Sequence, residues 1–246
     1  LVTGGARRIG RSIALALAQQ DWDVLVHYRT SAAEAEATVK EIQARGRRAA
    51  AVQCDLADQG AVQELLPHAT QLLGPISCVV NNASLFSHDC SANFSVAQLD
   101  AHMHTNLAAP ILLAQALYDA TPESAQSVVI NLLDQKLFNL NPDFLSYTLS
   151  KAALHSATTM LAQALAPKVR VVGVAPGLTL VSGEQTNEGF SKAHTLTPLR
   201  KSSTPDDIAK AVCFLAEAQA VTGTTLIVDG GQHLIPLPRD VMFVAQ

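Results

Sequence analysis

Leu1-Val2-Thr3-Gly4-Gly5-Ala6-Arg7-Arg8-Ile9-Gly10 leads directly into Arg11-Ser12-Ile13-Ala14-Leu15-Ala16-Leu17-Ala18, and this passage decides the fold. A short apolar strand pattern runs into glycines and then into a helix pattern. Glycines let a turn adopt positive φ and let backbone approach a pyrophosphate. The helix start then offers free N–H groups and a positive dipole end to phosphates. A plain strand-to-helix turn has the same outline, so the context must choose between the two.

The context is regular alternation. Strand patterns at 1–3, 23–28, 49–54, 76–81, 126–132, 169–175 and 224–228 alternate with helix patterns at 9–20, 32–45, 58–73, 96–118, 145–166 and 205–217. That order predicts an α/β fold: a Rossmann-type doubly wound parallel sheet of about seven strands, with helices on both faces. Pro67 lies inside the third helix pattern, where proline kinks or shortens a helix. No repeat or linker divides residues 1–246, so one domain is expected. Two irregular stretches, 84–95 and 177–204, follow strands at their carboxyl ends, where open α/β sheets bind ligands. The second, carrying Gly183 and Gly189, reads as a mobile lid.

A second passage carries chemistry. Tyr147-Thr148-Leu149-Ser150-Lys151 puts a tyrosine and a lysine four apart on one helix face, with Asp134 upstream. A lysine near a tyrosine favours the phenolate and lowers a phenol pKa that starts near roughly 10, giving a proton donor and acceptor usable near neutral pH. An exposed tyrosine and a solvated lysine would fit the same letters.

Composition narrows the classes. The 246 residues are 48% apolar and 15% charged, with net charge −4, which suits one large core and argues against nucleic acid as a partner. Arg45-Gly46-Arg47-Arg48 is the one short basic run and reads as a solvated helix end. Cys54, Cys78, Cys90 and Cys213 form no Cys-x-x-Cys pair, so a reduced, cytoplasmic protein is the simplest expectation. No apolar run is long enough to span a membrane and no signal peptide is visible. The chain opens inside a strand pattern, so residues are expected to precede it. Eight histidines show no ligand spacing, and His102 and His104 do not share a helix face, so no metal is expected.

Taken together, these passages resemble the short-chain dehydrogenase/reductase family over nearly the whole chain. The family's Thr-Gly-x-x-x-Gly-x-Gly matches Thr3 to Gly10, and its Asn-Asn-Ala-Gly matches Asn81-Asn82-Ala83-Ser84. Its helix asparagine matches Asn106, and its Tyr-x-x-x-Lys matches Tyr147 and Lys151. Pro176-Gly177 and Asp229-Gly230-Gly231 match its later motifs. Three departures stand out. Arg8 replaces the middle glycine, Ser84 replaces the last residue of Asn-Asn-Ala-Gly, and Asp134 stands where most members carry the catalytic serine. With Phe86 and the stretch Val26-His27-Tyr28-Arg29-Thr30-Ser31, these look like the pteridine reductase branch.

The resemblance implies NADPH-dependent reduction of a pterin or folate, with a generic carbonyl reductase or a non-catalytic NADPH sensor as alternatives. It implies catalytic roles for Asp134, Tyr147, Lys151 and Asn106. It implies a cofactor site of Gly4, Arg7, Arg8, Ile9, Gly10, Tyr28, Arg29, Thr30, Ser31, Asp55, Leu56, Asn82, Ala83, Ser84, Tyr147, Lys151, Pro176 and Gly177. Members preferring NAD place an acid where Tyr28 and Arg29 stand; an arginine there attracts a 2′-phosphate. Substrate would lie among Arg8, Ser84, Phe86, Asp134, Tyr147 and Leu178. Asp134 also reads as a capping aspartate, and Phe86 as a core phenylalanine. The apolar tail 232–246, with Arg239, is expected to pack on its own body or on a neighbouring subunit; the family's dimers and tetramers favour the neighbour, and a homotetramer is expected.

Overall fold

A computed structural model describes residues 1–181 and 186–244. Six parallel strands form the sheet: β1 (Val24–Tyr28), β2 (Ala49–Gln53), β3 (Cys78–Asn81), β4 (Ser127–Leu132), β5 (Val169–Pro176) and β6 (Thr225–Val228). β1 pairs with β2, and β3 to β6 pair in sequence order. The expected strand at 1–3 contracts to Val2, which bridges Val26 on one side and Val80 on the other. Backbone bonds flank it on both sides: Val2 N–H donates to Leu25 O and Thr3 N–H to Val80 O. After Thr3, Gly4 at φ 62° turns the chain out of the sheet. The resulting order is β2, β1, Val2, β3, β4, β5, β6, with the chain reversing its winding at Val2.

The strands are apolar throughout because both faces are covered. Val26, Ile130, Val172 and Val174 face one cluster with Ile13 and Leu17 of α1 (Arg8–Gln19), Ile42 of α2 (Ala32–Ala44), and Ile208 and Val212. Leu25, Val79, Val129 and Val171 face the other, with Leu65 and Leu66 of α3 (Gln59–Leu73) and Leu113 and Leu117. Successive strand residues point to opposite faces, so β1 to β5 feed both clusters, while β6 at the edge contributes Val228 to the first alone. A fully buried Leu or Ile contributes about 1.5–3 kcal/mol. α3 continues through Pro67 to Leu73, so the proline does not shorten it.

The helix expected over 96–118 is three pieces: α4 (Val96–Met103), a π turn (His104–Ala108) and α5 (Ala109–Ala120). After β4 comes a short 3₁₀ turn (Gln135–Phe138), then α6 (Leu145–Ala164). Residues 177–204, expected to be irregular, contain α7 (Asn187–Thr195), opened by the Thr186 hydroxyl accepting from Gly189 N–H at 3.0 Å. A nine-residue, mostly polar helix with Gly189 inside it leaves little apolar periodicity to read. Gly183 of the expected lid lies outside the described residues. α8 (Pro205–Glu217) begins with a capping box between Thr204 and Asp207. The chain closes with a 3₁₀ turn (Gln232–Leu234) and α9 (Val241–Val244). The tail lies on its own subunit, with Val241 and Met242 buried.

The glycine turn is set by close approach. A Cβ on Gly10 would collide with the carbonyl of Gly4 and the side-chain amide of Asn82. Gly10→Ala is therefore expected to force the turn apart and cost about 1–3 kcal/mol, as overpacking does. Thermal unfolding checks this, and an unchanged Tm would show that the turn relaxes freely.

Candidate active site

Two cavities meet at the carboxyl ends of the strands. The first is a groove bordered by Gly4, Arg7, Arg8, Ile9, Gly10, Tyr28, Arg29, Thr30, Ser31, Asp55, Leu56, Asn82, Ala83 and Ser84. The second is bordered by Leu133, Asp134, Lys136, Lys151, Pro176, Gly177, Leu178 and tail residues Asp240 to Met242. Arg8, Ile9, Asn82, Ser84, Phe86 and Tyr147 border both. Every residue expected to bind cofactor or substrate thus lies on one of the two walls. Pro176, Gly177 and Lys151 lie on the second cavity and not on the groove.

The groove is built around Thr3 and His27. Thr3 Oγ1 accepts from Asn82 N–H and from Ala83 N–H, both at 3.0 Å. The Asn82 amide donates to the carbonyls of Thr3 and Gly4, at 2.9 and 3.3 Å. His27 Nδ1 accepts from Gly4 N–H at 3.0 Å, so its Nε2 carries the proton and donates to Cys54 O at 3.0 Å. One buried imidazole thereby joins the glycine turn, β1 and the end of β2. Burial pushes its pKa down to about 4, against smaller opposing effects of the Cys54 carbonyl and Asp55. The sequence shows His27 only as one letter in an apolar strand, so this bracing role was not legible.

Arg29 and Thr30 are exposed at the groove's edge, and the Arg29 side chain has no ion pair among the described residues. Arg7 lies 3.6 Å from Glu34, both being well exposed. Arg8 keeps the left-handed backbone of the glycine it replaces, with φ 54°. Its guanidinium donates to Val181 O at 2.9 Å and so ties the segment after β5 to the glycine turn.

In the second cavity Tyr147 and Asp134 form the central pair. Tyr147 O–H donates to Asp134 Oδ2 at 2.8 Å. Asp134 Oδ1 accepts from Lys136 N–H at 2.8 Å. The aspartate is therefore both the cap of the 3₁₀ turn and the hydrogen-bond partner of the tyrosine. Burial raises the Asp134 pKa, partly offset by these two hydrogen bonds. Burial, then the Asp134 carboxylate, push the Tyr147 hydroxyl well above the ordinary phenol range.

That reverses one expectation. Lys151 was expected to favour the phenolate, yet its Nζ donates to Leu132 O at 2.7 Å and lies 5.9 Å from the Tyr147 ring centre. The charge next to the phenol is a carboxylate, so the proton stays on Tyr147. Burial in turn lowers Lys151 to about 8.

Asn106 borders neither cavity. It sits in the π turn and clamps two elements: its amide donates to Leu85 O at 2.9 Å and Ser150 Oγ at 3.0 Å, and its carbonyl accepts from Leu85 N–H at 2.8 Å. Ser84 Oγ donates to the same carbonyl at 3.2 Å. Phe86 is 41% exposed. One of its faces stacks on Phe144 at 4.4 Å, and Tyr147 meets it edge-on at 4.7 Å. Phe144 precedes α6 in a left-handed conformation and makes no side-chain cap. The cap comes instead from Asp89, fully buried, which accepts from Ser146 N–H at 2.9 Å and from its hydroxyl. Asp89, Lys136, Gln232, Asp240 and Met242 were not singled out by the sequence, because no local pattern marks partners so far apart in the chain.

The comparisons with known proteins agree with this geometry. Residues 4–233 match the family model described as enoyl-(acyl carrier protein) reductase. FolM alternative dihydrofolate reductase 1 from Brucella canis, solved in complex with NADP, superposes with TM-score 0.92 and 41% identity, covering 97% of this chain and 95% of that one. This chain belongs to the short-chain dehydrogenase/reductase family. Among curated relatives, an uncharacterised oxidoreductase of Mycobacterium tuberculosis is 35% identical over 246 residues, covering 94% of this chain and 90% of its own. The 3-oxoacyl-[acyl-carrier-protein] reductase FabG of Staphylococcus aureus is 33% identical over 242 residues, covering 95% and 97%. The short-chain reductase assignment explains why all walls converge at the carboxyl ends of the strands.

His27 makes the groove acid-sensitive. Its folded pKa, about 4, is depressed below the ordinary 6.5. The unfolded chain therefore binds the extra proton first, and stability is full above about pH 6.5 and falls towards pH 4. The shift corresponds to roughly 3 kcal/mol. Urea unfolding across this range should show a shallower pH slope for His27→Asn than for the parent; equal slopes would mean that His27 is not titrating in this window.

Proposed function

We propose that this chain is an NADPH-dependent pteridine reductase, taking a dihydropterin or dihydrofolate to the tetrahydro form. The observation that carries the reading is the 2.8 Å hydrogen bond from Tyr147 to Asp134 beside the exposed Phe86 ring in one cavity. A carbonyl reductase needs one donor to the developing oxyanion, and a serine hydroxyl suffices. A ring imine needs a proton on nitrogen, which a paired phenol and carboxyl can supply. The 41% identity to a FolM alternative dihydrofolate reductase supports the same reading. The FabG relatives favour carbonyl reduction, so a ketone belongs in the test.

The groove fits the cofactor. Gly10 keeps the turn tight, the start of α1 presents its N–H groups, and Arg29 with Thr30 and Ser31 offers donors for a 2′-phosphate. When bound, NADPH supplies a hydride, two electrons to the ring carbon of the C=N bond, and leaves as NADP⁺. The chain's own residues supply the rest. Tyr147, held protonated by its surroundings, gives the proton to the adjacent nitrogen as the general acid. The negative charge then left on the Tyr147–Asp134 pair lies near Lys151 and Lys136, and solvent returns the proton. Phe86 supplies a flat wall for a planar ring, worth about 0.5–1.5 kcal/mol beyond burial.

Steady-state NADPH oxidation against dihydropterins, oxidised pterins and a ketone tests this. Tyr147→Phe should bind NADPH normally and lose about 10²–10⁴-fold in turnover. Asp134→Ser should lose pterin reduction while still binding NADPH. Ketone turnover without pterin turnover in the parent protein would overturn the reading in favour of a carbonyl reductase.

Cofactor choice has a separate test. Removing the charge-assisted phosphate contact costs about 1.5–3 kcal/mol, so Arg29→Asp should weaken NADPH at least several-fold and spare NADH. Equal affinities of the unaltered protein for NADPH and NADH, measured by calorimetry, would remove Arg29 from the site.

A further inference from the structure

The wall of the second cavity opposite the groove is made by the chain's own tail. Asp143 accepts from Arg239 Nε and Nη2, both at 2.8 Å, and from Asp240 N–H at 2.8 Å. These bonds hold Asp240 over the cavity. Lys136, buried with its side chain 3% exposed, reaches it: Nζ donates to Asp143 O at 2.5 Å and to Asp240 Oδ2 at 3.2 Å. The other Asp240 oxygen accepts from Met242 N–H at 3.1 Å. The backbone N–H of the same lysine is the donor to Asp134 Oδ1. One residue therefore connects the proton-handling aspartate to a carboxylate brought in from 104 positions later in the chain.

We propose that Asp240 and Lys136 are positioning residues for the Tyr147–Asp134 pair: the tail lends a carboxylate to the cavity, Lys136 ties it to the turn carrying Asp134, and the two opposed charges set how firmly Asp134 holds a proton. This rests on the reading of Asp134 and Tyr147 as the proton-handling pair. The charges act in opposite senses, Asp240 raising the Asp134 pKa and Lys136 lowering it. Asp240 also raises the Tyr147 hydroxyl. Both charges act on a buried Asp134, where burial itself is the larger influence and the two hydrogen bonds to its carboxylate come next. Other charged or titratable groups face the pair. Lys151 comes from α6 and Arg8 from the glycine turn. Asp143 stands behind Lys136 with Arg239 and His88, while His102 meets the Tyr147 ring edge-on. None of these spans from the Asp134 turn to the tail as Lys136 does.

A salt bridge that merely held the tail down would behave differently from one that sets a charge. Carbon-13 NMR of the full chain, labelled at aspartate carboxyls, reads Asp134 directly, with Asp134→Asn identifying its signal. Asp240→Asn should lower the Asp134 pKa by about one unit, a tenfold change in its protonation constant, and Lys136→Met should raise it. The acidic limb of the kcat/KM profile should move in the same directions. An unmoved Asp134 titration in Asp240→Asn, or shifts of the same sign in both variants, would overturn the proposal. Where Lys136→Met fails to fold, the Asp240→Asn titration decides alone. A moved Asp134 titration in a protein that reduces no pterin would uphold the charge arrangement and count against the pteridine reading instead.

Discussion

Hydrogen bonds from residues 1–5 hold the two halves of the sheet together. Val2 N–H and its carbonyl pair with β1, Leu1 O and Thr3 N–H pair with Val80, and Gly5 N–H returns to His27 O. A single ladder residue cannot do this by length, so the seam is reinforced by side chains. Thr3 Oγ1 takes two N–H groups from the end of β3, and Asn82 binds back to Thr3 and Gly4. The groove opens at this seam because the winding reverses there, leaving a crevice between strands whose connections run to opposite sides. The chemistry of the site is possible only while the seam is closed.

The fold was legible because its signals are periodic and local. Apolar runs bounded by glycines gave the strands within a residue or two, and the helix patterns at 9–20 and 205–217 coincide closely with α1 and α8. What local pattern could not show is what happens across distance. The break between α4 and α5 is a π turn, and its purpose lies in Asn106 reaching Leu85 and Ser150. The cap of α6 comes from Asp89, 57 positions upstream, where no sequence window would pair the two. Arg239 and Asp143 are 96 positions apart, so the partners that seat the tail were equally hidden.

The site residues were legible for a different reason. Tyr147, Lys151, Asp134 and the glycine turn sit in short motifs whose spacing survives translation into structure. Their electrostatics do not. A spacing of four on one helix face suggested that Lys151 would act on Tyr147, but distance along a helix says nothing about where each side chain ends. The lysine ends on Leu132 O and the tyrosine on a carboxylate. The sign of the phenol's pKa shift follows from that tertiary fact alone.

Arg8 links the two cavities in a way that reaches beyond either. A non-glycine residue in left-handed backbone costs roughly 1–2 kcal/mol, and here a long cation occupies the place where glycine would sit without cost. Its guanidinium already has a partner in the Val181 carbonyl, next in the chain to Leu180 of the second cavity. Any anion that draws Arg8 towards the groove must therefore loosen the segment after β5, and any ligand that rearranges that segment must release Arg8. Such linkage is reciprocal by thermodynamic necessity: whatever factor one ligand imposes on the other's affinity is returned unchanged. The glycine turn and the segment after β5 thus share one side chain, and a ligand that displaced it on one side would be felt on the other.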